Sequence, residues 1–102
     1  MDINFEFKNN CLWIYLIGEI DEYSASLSRK KADKLAEVYS HCDKVIFDLK
    51  GVSFMDSTGI GFLIGRYKKF QKIGVKVYIA NPSMETDKIL SISGVYALLP
   101  KI

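Results

Sequence analysis

The sequence predicts a small α/β domain: an opening β-hairpin followed by βαβ units, giving one mixed sheet of four to five strands with helices packed mainly on one face. Three observations carry that expectation. Apolar residues near the N-terminus alternate with polar ones, the period of a half-buried strand. Two short apolar runs, Val45–Leu49 and Val75–Ile79, read as more deeply buried strands. Around them the apolar spacing changes to that of a helix.

Ile3, Phe5 and Phe7 mark the first strand, and Asn9-Asn10 suits the positive-φ positions of a tight turn. Leu12–Ile17 is the second strand, ended by Gly18. From Ser24 or Ser26 onward a helix is expected, with Leu27, Ala32, Leu35, Ala36 and Tyr39 on one face and Arg29, Lys30, Lys31, Asp33, Lys34 and Glu37 largely outside it. The strand Val45–Leu49 feeds, through a short loop, a helix over Ser57–Ile73 whose inner face is Ile60, Leu63, Ile64 and Tyr67. Gly74 stops that helix before the strand Val75–Ile79. Pro82 suits the first turn of a helix containing Ile89, Leu90 and Ile92, ended by Gly94, and Leu98–Ile102 supplies a last short strand.

With 102 residues the chain is one domain, 1–102, built on a single core. Its formal charge of +2 and the lack of a dense basic arm speak against nucleic acid as a partner. No run approaches the ~20 apolar residues that span a bilayer, and Met1-Asp2-Ile3-Asn4 lacks the basic start of a signal peptide. The expected setting is the cytoplasm, with no membrane. Cys11 and Cys42 have no metal-ligand spacing and read as small apolar side chains. His41, the only histidine, sits beside Cys42 at a helix end, where sequence neighbours do not face each other. No base, metal set or cofactor loop can be assembled, so neither an enzyme nor a bound cofactor is expected.

The chemistry-bearing stretch is Asp56-Ser57-Thr58, where a strand feeds a helix. A hydroxyl there can cap the helix, or it can carry a phosphate, because the first backbone N–H groups and the positive end of the dipole point at it. The residues leave both readings open. The following helix carries Gly59, Gly61 and Gly65, each costing about 0.5–1 kcal/mol relative to alanine. Close packing of helix on sheet explains such glycines; so does the approach of a partner backbone to the first turn, a reading that Gly59 and Gly61 favour. A nucleotide-cradling loop is excluded because no Gly-Lys-Ser or Gly-Lys-Thr occurs, and a nucleophile elbow because Met55 and Asp56 precede the serine. Asp48 at a strand end is where a receiver domain is phosphorylated, but the opening hairpin breaks a receiver's strand–helix order.

Two motifs give the chain a family likeness. Gly18-Glu19-Ile20-Asp21 follows the second strand, and Val52-Ser53-Phe54-Met55-Asp56-Ser57-Thr58-Gly59-Ile60-Gly61 continues into Gly65-Arg66-Tyr67-Lys68. With Ser91-Ile92-Ser93-Gly94-Val95, they make the chain resemble the STAS-domain family of anti-sigma factor antagonists, its sporulation branch in particular, from about Phe5 to Pro100. The resemblance implies a binding module without chemistry of its own. Its unmodified form would bind an anti-sigma factor that is also a serine kinase and so free a sporulation sigma factor. That kinase would phosphorylate Ser57, and a PP2C-type phosphatase would restore it. Asp21, Met55, Asp56, Ser57, Thr58, Gly59 and Gly61 would form the partner surface. On the residues alone Asp21 reads rather as a plain cap for the helix after it, and Arg66 and Lys68 as solvated helix charges. The second reading is a STAS scaffold piece or a small-ligand-sensing module. Family members continue into a closing helix beyond the last strand; the sequence stops at Ile102, so that helix is expected to be missing, naturally or by trimming.

Overall fold

Asn9 and Asn10 both take positive φ, 53° and 60°, and turn β1 (Asp2–Lys8) back onto β2 (Cys11–Ile20) in the computed structural model, which describes residues 1–102. A two-residue turn with positive φ at both positions matches the twist of the strands it joins. Helix α1 (Glu22–Val38) follows, then β3 (Lys44–Met55), α2 (Ser57–Lys72), β4 (Lys76–Ala80), α3 (Met84–Ser93) and a 3₁₀ turn over Val95–Ala97. The sheet order is β1-β2-β3-β4, antiparallel between β1 and β2 and parallel thereafter.

The helices cover one face, as the sequence predicts. Leu12, Ile14 and Leu16 of β2, Val45, Phe47 and Leu49 of β3, and Val77 and Ile79 of β4 point to that side. They join Ala32, Leu35 and Ala36 of α1, Phe62, Leu63 and Phe70 of α2, and Leu90 of α3 in one core of 22 buried residues. The opposite face holds a minor cluster of Cys11, Ile46 and Ala80, flanked by Trp13 and Tyr78.

Several boundaries differ from the sequence reading. Gly18 does not end β2: with φ of 92° it bends the strand at a register shift, and pairing resumes through Glu19↔Phe54 and Ile20↔Met55. The loop expected after Leu49 is likewise strand, because Val52 and Met55 continue the inward-facing pattern beside β2. Helix α1 starts at Glu22, capped by Asp21, which decides the cap reading of that residue. Pro82 lies before α3 rather than inside its first turn; Ser83 is the cap, its hydroxyl accepting from Thr86 N–H at 3.1 Å. The last strand shrinks to a single bridge, Ile79↔Lys101. Pro100 has no N–H with which to form another rung.

Two helix faces are also rotated from expectation. Leu27 is 65% exposed, and α1 seats itself through Ala25, Ser28, Ala32, Leu35 and Ala36, small residues that let it lie close. On α2, Ile60, Ile64 and Tyr67 only border the core, while Phe62, Leu63 and Phe70 enter it. Arg66, expected as a solvated charge, is 7% exposed. Its Nε lies 2.8 Å from Asp33 Oδ1 on α1, off the line of a good hydrogen bond, and Nη1 is buried without a partner. The guanidinium also sits over the Phe62 ring, its carbon 5.1 Å from the centroid. Desolvation pulls its pKa below the usual arginine value, and Asp33 opposes that shift.

Candidate functional site

The parallel strands β2, β3 and β4 all end at one edge of the molecule, so their outgoing loops share that end. The pair Ile20↔Met55 sets the spacing there and brings Asp21 and Asp56, the residues that follow, to neighbouring positions. Each aspartate opens a helix. Asp21 Oδ1 accepts from the backbone N–H of Ser24 at 3.1 Å and from its hydroxyl at 3.0 Å. Those two bonds, the backbone one first, hold the Asp21 carboxyl below its ordinary range. Asp56, in extended backbone at φ −120°, accepts at Oδ1 from Thr58 N–H at 2.9 Å.

That last bond answers one question left open by the sequence. The cap of α2 is Asp56, and Ser57 is the first helical residue. The Ser57 side chain is exposed and enters no hydrogen bond within the chain. Of the first three N–H groups of α2, only that of Thr58 is taken; the ladder begins with Ile60 N–H to the Asp56 carbonyl at 3.3 Å. The N–H groups of Ser57 and Gly59 therefore point out of the helix end without an internal acceptor. Nothing activates Ser57 as a nucleophile: His41 lies at the far end of β3, before Lys44. No group of three or more His, Cys, Asp or Glu side chains is placed to hold a metal ion.

The glycines divide. A Cβ at Gly59 would run into Met55 Cγ and come 3.2 Å from Ile20 Cγ2, so Gly59 is required by the packing of α2 onto the strand ends. Here the plain explanation suffices. A Cβ at Gly61 or Gly65 would meet nothing within 4 Å. Ser57, Gly61 and Gly65 are spaced i, i+4, i+8 and form a bare strip along α2.

Met55 is 2% exposed, packed under Gly59 inside the core, so the surface contact expected of it is closed to this side chain. Its neighbour Phe54 faces out instead, half exposed, because the strand alternates. Thr58 is half-buried, and Gly59 is buried. Asp21 and Asp56 are half-buried like Thr58, and Ser57 and Gly61 are exposed. The sequence reading passed over Tyr23, fully exposed in the first turn of α1, and put Leu27, exposed above it, on the inner face. It also passed over the loop from Asn81 to Ser83, where Asn81 Nδ2 donates to Asp48 Oδ2 at 2.9 Å and φ is 55°. The available signal was topological: loops after parallel strands gather at one end.

The family model described as the STAS domain matches residues 2–102. The chain is 38% identical over 96 residues to the anti-sigma-B factor antagonist of Bacillus subtilis (strain 168), covering 92% of this chain and 85% of that protein. It is 27% identical over 100 residues to the anti-sigma F factor antagonist of Paenibacillus polymyxa, covering 98% and 85%. Among solved structures, the anti-sigma factor antagonist SpoIIAA in its unphosphorylated form superposes with a TM-score of 0.78 at 23% identity, over 99% of this chain and 88% of that one, a likeness of fold.

Proposed function

Because the chain belongs to the STAS domain family, we propose that it is an anti-sigma factor antagonist, binding an anti-sigma factor through the surface around Ser57 and released by phosphorylation there. The carrying observation is the state of Ser57: exposed, unbonded, first in α2, with two free N–H groups beside it. A phosphate at that hydroxyl adds about −1.5 to −2 charge. The free N–H groups and a helix dipole worth about +0.5 charge at this end favour it, so the fold tolerates the modification. The docking surface does not. Asp21 and Asp56 already bring two carboxylates to this end, and a phosphate between partner and helix adds bulk, repulsion and a desolvation penalty.

The bare strip Ser57–Gly61–Gly65 supports a partner whose backbone lies close along α2, with Phe54 and Tyr23 as apolar contacts at its margins. In this proposal the anti-sigma factor is also the serine kinase, using ATP, and a PP2C-type phosphatase resets Ser57. Relatives named for sigma F and for sigma B both match. The run Phe54-Met55-Asp56-Ser57 and the run Gly65-Arg66-Tyr67-Lys68 favour the sporulation branch.

Ser57→Asp tests the switch. The expected result is an unchanged circular dichroism spectrum with binding to the anti-sigma factor weakened by at least a factor of about ten, roughly 1.4 kcal/mol. Loss of the folded spectrum would make Ser57 a folding residue; full binding by a folded variant would remove it from the interface.

A further inference from the structure

The sheet has two outer strands, and the chain closes only one of them. The C-terminal tail bonds to β4 at Ile79, whereas the outer edge of β1 makes no hydrogen bond within the chain. The hairpin decides which groups that edge presents. Across a two-residue turn the flanking residues, here Lys8 and Cys11, form a hydrogen-bonded pair. Counting back in twos, Glu6, Asn4 and Asp2 also bond to β2. The N–H and C=O groups of Ile3, Phe5 and Phe7 therefore point away from the sheet. Seven residues run along this edge without a proline or a bulge, two of the devices that blunt an edge strand.

The apolar side of the edge is open as well. Phe5 is 49% and Phe7 42% exposed, although both stand on the helix face beside Tyr39. On α1, Lys31 and Lys34 line a cleft with Ile3 and Phe5. Leu27 and Val38, one turn before and one turn after those lysines on the same strip, are exposed too.

We propose that β1 pairs with β1 of a second copy of this chain, antiparallel and centred on Phe5, joining two four-stranded halves into one continuous sheet. A two-fold axis through the sheet imposes the antiparallel direction. Outward groups meet outward groups only where odd-numbered residues face odd-numbered ones, and charge then selects the register. Centred on Phe5, that residue meets its counterpart, Ile3 meets Phe7, and Asp2 meets Lys8 at both ends. Asn4 lies opposite Glu6, an amide facing a carboxylate. Centring on Asn4 would set Asp2 against Glu6, and centring on Glu6 would set two glutamates together. The Phe5 register alone overlaps all seven residues. It also brings the two α1 helices side by side over the join, with Leu27 and Val38 on the facing strips. Lys31 and Lys34 meet their counterparts there; their long stems can carry the ammonium groups out to water, and their repulsion keeps the association weak. The same axis sends the two Ser57 residues to opposite ends of the joined sheet, so each half keeps its switch surface free.

Sedimentation equilibrium and amide exchange of the full chain test the join. The expected result is a monomer at ~10 µM that becomes largely dimeric at ~1 mM, a dissociation constant of ~0.1 mM. Over the same range protection should rise at the amides of Ile3, Phe5 and Phe7 and stay constant at Asn4 and Glu6. Lys8→Asp, at an exposed strand position, sets two like-charged pairs at the join and should weaken the dimer about fivefold. Adding Asp2→Lys should restore it. Ser57→Asp should dimerise as the unaltered chain does, so the join and the proposed switch fail separately. A chain still monomeric at ~1 mM, a dimer without the alternating protection, or a double variant no stronger than Lys8→Asp alone would overturn the proposal.

Discussion

Around Ser57 the duties of capping, packing and exposure fall on different residues. Asp56 caps, Gly59 packs, and Ser57 is left free. Asp56→Ala should therefore cost about 1 kcal/mol of stability through the lost bond to Thr58 N–H, whereas Ser57→Ala should cost almost nothing; denaturant unfolding measures both. The glycines give a sharper contrast. Gly59→Ala forces Met55 aside and should destabilise by about 1–3 kcal/mol. Gly61→Ala enters open space and should stabilise the helix by about 0.5–1 kcal/mol while weakening the partner complex, which calorimetric binding would detect. Equal binding by Gly61→Ala would show that the bare strip is not where a partner rests. Composition and spacing singled out all of these residues but not how the work is divided. Two hydrogen-bond acceptors in a row, Asp56 and Ser57, are equivalent on paper; which one caps depends on where β3 stops.

At the scale of elements, α1 and α2 are joined by an ion pair that a helical-face reading missed. Arg66 was placed outside because it is charged, yet a guanidinium above Phe62 with Asp33 beside it fills a core position. Asp33→Ala leaves that guanidinium buried and uncompensated, and should cost about 3 kcal/mol. Replacing both residues with apolar ones, Asp33→Leu with Arg66→Met, should recover most of it; a double variant as unstable as the single one would contradict a purely electrostatic origin of the loss. The tail depends on a second polar cluster. Asp87 Oδ1 accepts from the Tyr96 hydroxyl at 2.6 Å and from Lys101 Nζ at 3.0 Å. Those bonds, Tyr96's first, keep Asp87 below its ordinary carboxylate range. A carboxylate whose folded pKa is depressed stabilises fully above its unfolded value, about 3.9, and loses that contribution as pH falls through the folded value. Acidification through the folded-state value, below the unfolded ~3.9, should accordingly lower the protection factors of the Ile79 and Ile102 amides, the two residues the tail bonds hold.

For the molecule as a whole, the hairpin, the order of strands and helices, and the one-sided layering were legible because period-two and helical spacing are strong over long runs. What was not legible depended on pairing between distant segments. β3 runs on to Met55 only because the bent end of β2 lies alongside it, and the fifth strand is cut short by Pro100, one residue before the bridge to Ile79. The motif singles out the stretch around Ser57, but not which side chains lie at the surface beside it: Phe54 and Tyr23 are exposed, and Met55 hidden, by strand alternation and helix phase. No helix is long and apolar enough to cross a membrane. The arrangement places an exposed serine, the first residue of α2, at the end of the sheet where the loops after the parallel strands gather. The most direct measurement is intact-mass spectrometry of the chain and of Ser57→Ala after incubation with the anti-sigma kinase and Mg-ATP. The account predicts one added phosphate on the unaltered chain and none on the variant. No phosphate on either, with a kinase active on another substrate, or a phosphate still gained by Ser57→Ala, would contradict it.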